Sequence, residues 1–292
     1  MLAAVVLLPC GCGTRVSTKH IVPPQQVRKA LEATAGQLIE QYNQQAGAVR
    51  SLNASVDLLP VTGSSYSGVI EEYHEVQGFI LAQKPAHIRM IGQAPVVAKN
   101  VFDMVSDGET FRIFIPSKNK FIVGPAGLER PAKKPIENLR PQHLLDALFW
   151  PEIDPRQQLL FEEFNADAAR YYILTVVRGM SSLEIVRKIW FDRADLSLAR
   201  IQLYGPGGRL VSDVRYADWQ PVPAAAGPIE AQAGLRYPRH VWLARPHDDY
   251  ELEVRITRIT LNPEISADRF WLEQPPGTEL VRVGEGDTET RP

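Results

Sequence analysis

Residues 101–116 read Val101-Phe102-Asp103-Met104-Val105-Ser106-Asp107-Gly108-Glu109-Thr110-Phe111-Arg112-Ile113-Phe114-Ile115-Pro116. Two short runs of β-prone residues flank Ser106-Asp107-Gly108. An Asp-Gly pair readily adopts the positive φ of a tight turn, so the stretch predicts a hairpin of two antiparallel strands. Residues 121–123 extend the meander as far as Gly124.

Period-two alternation continues in both directions. Leu52, Ala54, Val56 and Leu58 share one face, with Asn53, Ser55 and Asp57 opposite. Further runs fall at 171–177, 183–191 and 198–204, and Gly205-Pro206-Gly207-Gly208 turns the chain into 210–216. Residues 241–244 and 250–256 are joined through Arg245-Pro246-His247-Asp248-Asp249. The expectation is a mainly β chain of about ten or eleven strands, a sandwich or barrel. Two Pro- and Ala-rich stretches, about 125–140 and about 220–236, read as long loops.

Helical periodicity is confined to two places. After Pro23-Pro24, the positions Val27, Leu31, Thr34, Ala35, Leu38 and Tyr42 form one apolar stripe running to about Ala48. The second helix is shorter: Pro141 suits a first turn, Leu144, Leu145, Leu148 and Phe149 follow, and Pro151 stops it. Two helices are too few to cover a large sheet on both faces, but they suffice to cover one.

Charged residues make up 23% and hydrophobic residues 45% of the 292, which permits an ordinary core. The net charge of −2 has both signs interspersed, which is no footprint for nucleic acid. Both cysteines, Cys10 and Cys12, lie directly behind the apolar run Leu2 to Leu8. That run is far shorter than the roughly 20 residues of a spanning helix and fits the core of a secretory signal. A cysteine at the expected cut resembles the lipobox of bacterial lipoproteins. Cys12, after Gly11, is the better candidate for lipidation, and Pro9 makes Cys10 the poorer one. The expected organisation is a signal over 1–12, a polar tether over 13–22 and one domain over 23–292. A mature chain cut there holds no disulfide, so its fold must rest on a hydrophobic core.

No catalytic constellation emerges. His20, His74, His87, His143, His240 and His247 form neither HExxH nor another close metal-ligand spacing. His247-Asp248-Asp249 reads as a solvated turn. Glu71-Glu72 and Glu162-Glu163 read as solvated faces rather than a glycosidase pair. There is no GxSxG elbow. The expectation is a protein that is not an enzyme and carries no cofactor or metal.

Two segments resemble one family. Gly78-Phe79-Ile80-Leu81-Ala82-Gln83-Lys84-Pro85 leads into Ala86-His87-Ile88-Arg89-Met90, then the loop Gly92-Gln93-Ala94-Pro95-Val96-Val97, then the hairpin quoted above. Near the end stands Ala267-Asp268-Arg269-Phe270-Trp271-Leu272-Glu273-Gln274-Pro275-Pro276-Gly277-Thr278-Glu279-Leu280. The order and spacing of these motifs resemble the LolA/LolB superfamily of lipoprotein carriers and receptors. The resemblance implies an unclosed antiparallel β-barrel whose apolar concave face is covered by an N-terminal helix and a short lid helix. It implies acyl chains or lipoproteins as ligands, palmitate-like chains included, and a periplasmic carrier protein as a partner.

Residue by residue, Lys84 stands where the carrier has a basic latch to its lid. Leu144, Leu145, Leu148 and Phe149 stand as the lid, and Pro95, Val96 and Val97 as the receptor's membrane-delivery loop. Gly13 after Cys12 implies a lipid anchor at the periplasmic face of the outer membrane. Trp190, Trp219, Trp242 and Trp271 read as wall or core residues. Two other roles stay open for such a barrel: a sensor of a different lipid, or a structural envelope lipoprotein whose barrel is filled.

Overall fold

The computed structural model describes residues 29–64, 69–72, 75–94, 99–127, 140–166, 169–222 and 235–283. Helix α1 spans Ala35–Ala48, and β1 (Ser51–Ser64) follows. The next strands are β2 (Val69–Glu72), β3 (Val76–Gln83), β4 (His87–Gln93), β5 (Asn100–Ser106), β6 (Thr110–Ile115) and β7 (Lys120–Pro125). Helix α2 (Pro141–Leu148) precedes β8 (Gln158–Asn165), β9 (Arg170–Arg178), β10 (Glu184–Asp192), β11 (Leu198–Gly205) and β12 (Arg209–Pro221). Last come β13 (Arg236–Arg245), β14 (Tyr250–Leu261) and β15 (Glu279–Arg282).

Among the described residues all fifteen strands belong to one sheet, ordered β15-β7-β6-β5-β4-β3-β1-β14-β13-β12-β11-β10-β9-β8, with β2 paired to β1 beyond the end of β3. Every pairing is antiparallel except β15 on β7. The sheet begins and ends on different strands, so it is an unclosed barrel, the architecture the resemblance implies. The strand count exceeds the expected ten or eleven chiefly through β2, β8 and the short β15.

The hairpin that opened the reading forms as expected. Asp103, Met104, Val105 and Ser106 pair with Phe114, Ile113, Arg112 and Phe111. Asp107 Oδ1 accepts from the amides of Glu109 at 2.9 Å and Thr110 at 2.7 Å. Gly108 sits at φ 94°, and a Cβ there would lie 2.4 Å from Ala86 Cβ, so only glycine fits this turn. Burial raises the Asp107 pKa, but the amide bonds outweigh it and the net shift is downward.

Helix α1 begins later than the stripe suggested. Residues 29–34 are not helical, and Thr34 caps the helix through a capping box with Gln37. The apolar stripe misled at Leu31, whose amide donates to Arg193 O at 2.7 Å instead of starting a turn. Val27, Cys10, Cys12 and most of the two long-loop stretches lie outside the described residues.

The two faces of the sheet have different covers. On the inner face Leu52, Ala54, Val56 and Leu58 of β1 meet Leu38, Tyr42 and Ala46 of α1 and Leu144, Leu145 and Leu148 of α2 in one cluster. Each fully buried Leu or Ile contributes about 1.5–3 kcal/mol. On the outer face the segment after β14 straps β4 to β7. There Phe270 lies 5.3 Å from the His87 ring, the Arg112 guanidinium stands 3.7 Å from the Trp271 ring, and Leu272 packs on Val105 and Phe121. This strap is the C-terminal segment that carried the resemblance, and it ends by adding β15 to the β7 edge.

One inner-face group works against the core. Arg239 shares the face of Tyr237 and Val241 by strand alternation, and its Nε and Nη1 are buried with no hydrogen-bond partner among the described residues. Arg239 is half-buried, and leaving two of its N–H groups without water or a protein acceptor costs folding energy. Arg239→Met is therefore expected to raise stability by about 1–3 kcal/mol in urea denaturation. A lower midpoint would show that the guanidinium contributes favourably.

Candidate functional site

The C-terminal carbonyls of a short helix need partners, and here buried tyrosines supply them. Tyr216 Oη on β12 donates to Ala147 O at 2.9 Å, and Tyr237 Oη on β13 donates to Leu148 O at 2.7 Å. On β14, Tyr250 Oη lies 2.6 Å from His143 Nδ1. Three adjacent strands thus each hold α2 by one phenol. Burial raises the pKa of all three phenols, so they remain neutral hydroxyls. The expected lid residues Leu144, Leu145, Leu148 and Phe149 are all buried, the first three at 2% exposure or less.

Beside the C-terminal end of α2 lies a cavity of about 570 Å³. Leu145, Phe149 and Trp150 form one wall, and Ile201 and Leu203 of β11 with Val214 of β12 form the other. Pro85, Pro151 and Glu152 are the exposed residues of its mouth, and Ser212 is its hydroxyl. Trp150 anchors the lining. It is 2% exposed and packs within 5.5–5.8 Å of the rings of Trp219, Tyr216 and Tyr237. Tyr42 Oη and Arg187 Nη1 both donate to Pro151 O, at 3.0 and 2.8 Å, fixing the turn that shapes the mouth.

Three charged groups face this space. Lys84 Nζ donates to Ala46 O at the end of α1, at 2.6 Å, and lies 5.6 Å from the centroid of Phe149. It thereby joins β3, α1 and the segment after α2. Burial lowers its pKa, and the nearby Glu152 carboxylate opposes that shift. Asp146 lines the cavity as an exposed residue with protein packed around its base. Desolvation by that surrounding protein raises its pKa, partly offset by a bond from Gln142 Nε2 at 3.1 Å and by Arg245.

Of the sequence-derived site residues, Lys84, Leu145 and Phe149 converge on the cavity. Leu144 and Leu148 lie in the core beside it. Pro95, Val96, Val97 and Cys12 lie outside the described residues. Sequence reading missed Trp150, Asp146, Glu152, Ile201, Leu203, Ser212 and Val214. Ile201 with Leu203 and Ser212 with Val214 keep the period-two spacing of an inward face, and that signal was present. His247-Asp248-Asp249 is a turn in which Arg245 Nε donates to Asp248 Oδ2 at 2.7 Å. Among the described residues no helix is long and apolar enough to cross a membrane.

No family model matches the chain, and no curated protein matches it. Solved structures are similar to it at low identity. A LolA superfamily protein from Nitrosomonas europaea is 12% identical, with 82% of this chain and 99% of that chain covered and a TM-score of 0.48. A DUF1329 family protein from Desulfovibrio piger is 12% identical, covering 80% and 95%, with a TM-score of 0.49. A domain from Vibrio parahaemolyticus assigned to outer membrane lipoprotein sorting is 9% identical, covering 81% and 97%, with a TM-score of 0.45.

Proposed function

We propose that this protein is an envelope lipoprotein that holds acyl chains in the cavity between α2 and strands β11 and β12, and acts in sorting or inserting lipoproteins at the outer membrane. The observation that carries the reading is the cavity itself. Its walls are Leu145, Phe149, Trp150, Ile201, Leu203 and Val214, and its mouth holds Lys84 and Glu152. Apolar walls with a few polar groups at the opening suit a chain with a polar head. Such a site binds without transforming its ligand, because each buried CH₂ contributes about 0.8 kcal/mol. In this reading Cys12 carries the lipid anchor, and residues 95–97 contact the membrane during delivery. The soluble partner is a periplasmic carrier.

The test is titration of delipidated protein with a fluorescent fatty-acid probe, followed by displacement with palmitate. Saturable, displaceable binding is expected. A signal that never saturates would remove the acyl-chain reading and leave a structural lipoprotein, which the three phenol bonds to α2 favour.

Lys84 acts in this proposal as the latch between the end of α1 and the mouth. A hydrogen bond to a charged donor is worth about 1.5–3 kcal/mol, so Lys84→Met is expected to speed probe exchange about tenfold or more. Lys84→Arg keeps a donor and should restore part of the effect. Stopped-flow displacement reads both, and exchange at the same rate in all three proteins would contradict the latch.

A further inference from the structure

The two edges of the sheet are finished differently. β7 is covered by β15, whereas β8 pairs, among the described residues, only with β9. Proteins blunt such edges with Pro, with charged side chains (Lys above all) or with a bulge, and here the only charges are Glu162 and Glu163. Gln158–Asn165 has no Pro or Lys, and its register with β9 runs without a shift. It instead displays Leu160 at 56%, Phe161 at 43% and Phe164 at 43% exposure.

The register sorts these side chains. Leu160, Glu162 and Phe164 share the outer face, opposite Thr175, Ile173 and Tyr171. Phe161 and Glu163 lie on the inner face, opposite Leu174 and Tyr172. The rings are held in place: Phe164 lies 5.7 Å from Trp190, and Phe161 lies 5.2 Å from Tyr172. Glu162 sits 3.9 Å from Lys188 Nζ, and Glu163 is bonded to Arg193. About half of each carboxylate side chain still faces solvent, at 52% and 48%.

Two occupants fit poorly. A lipid surface would bury the free N–H and C=O groups of the edge in hydrocarbon, at several kcal/mol each. A second copy pairing β8 with β8 brings four carboxylates and no cation on either strand to the seam. An extended chain with basic residues satisfies both the backbone edge and the two carboxylates.

We propose that β8 is a docking edge for an extended segment of another polypeptide that carries two adjacent basic residues among apolar ones. Added antiparallel, such a segment sets its basic pair opposite Glu163 and Glu162 and its apolar residues opposite Phe164, Phe161 and Leu160.

The probe is a labelled peptide, Thr-Val-Lys-Lys-Val-Val-Thr, read by fluorescence anisotropy and by amide hydrogen exchange. Saturable binding with slowed exchange confined to β8 is expected. Glutamates in place of the two lysines should weaken binding about tenfold, two cross-strand pairs turning from attraction to repulsion. The double variant Glu162→Lys/Glu163→Lys should reverse the preference between the two peptides, which a variant that merely unfolds cannot do. Equal affinity for both peptides, no saturation, or protection away from β8 would overturn the proposal. So would dimerisation, or binding to phosphatidylglycerol vesicles, that Leu160→Lys abolishes.

Discussion

Leu203→Trp is expected to weaken binding of a fatty-acid probe about a hundredfold while leaving the fold intact. Leu203 is only partly buried and its side chain borders the cavity, so an indole there enters space that ligand would otherwise occupy. Displacing about four methylenes at about 0.8 kcal/mol each removes about 3 kcal/mol of binding, which is about two decades in affinity. Overpacking a filled core would instead cost about 1–3 kcal/mol of stability. With about 570 Å³ in front of it the ring has room, so the thermal midpoint should barely move. A probe titration beside a melting curve separates the outcomes. Unchanged affinity at unchanged stability would mean that the chain binds elsewhere or not at all.

The second large effect is acid lability centred on α2. His143 is held at a pKa of about 3 by burial first, and then by the positive charges of Arg245 and Arg140. In the unfolded chain it titrates near 6.5, so between these values the unfolded state binds the extra proton. Stability from keeping this imidazole neutral is complete above the unfolded pKa. It falls as the pH drops from 6.5 toward 3, and from pH 6.5 to 4 the loss is about 3 kcal/mol. The structural consequence is local as well. The ring lies 2.6 Å from Tyr250 Oη, so a proton and a charge on the imidazole reorganise the third phenol contact of α2. Urea denaturation across this range should show a steep slope in the native protein and a shallower one in His143→Gln. Parallel slopes would contradict the assignment.

The legible parts of the fold were those with a local cause. The β5–β6 hairpin followed from Asp107-Gly108, the buried face of β1 from alternate apolar residues, and α2 from Pro141 and the leucines behind it. The start of α1 was misjudged because Leu31 continued an apolar stripe, although Thr34 and Gln37 already spelled a capping box. β8 escaped because Gln158-Leu159-Leu160-Phe161-Glu162-Glu163-Phe164-Asn165 has no alternation to read. As an edge strand it buries neither face fully, so no burial pattern is imposed on its sequence. In β9 the run from Tyr172 to Val177 is buried on both faces. Period two is therefore invisible there too, although the apolar run itself was recognised.

The site was legible only in pieces. Lys84 was singled out by the family resemblance, which sets a basic residue before Pro85, and the α2 leucines by their spacing. The cavity's far wall comes from β11 and β12, which the curl of the sheet brings opposite α2 across more than 50 positions of sequence. No local signal records such a meeting. The phenols of Tyr216, Tyr237 and Tyr250 are the same case. Each lies on a different strand, and only the assembled sheet aims them at one helix.

Photolabelling with a diazirine-bearing fatty acid tests the central claim most directly. Adducts competed away by palmitate are expected on Phe149, Trp150, Ile201, Leu203 or Val214 when the labelled protein is digested and sequenced by mass spectrometry. Labelling confined to the exposed Leu160 and Phe164, or labelling that palmitate does not reduce, would contradict an acyl-binding cavity beside α2.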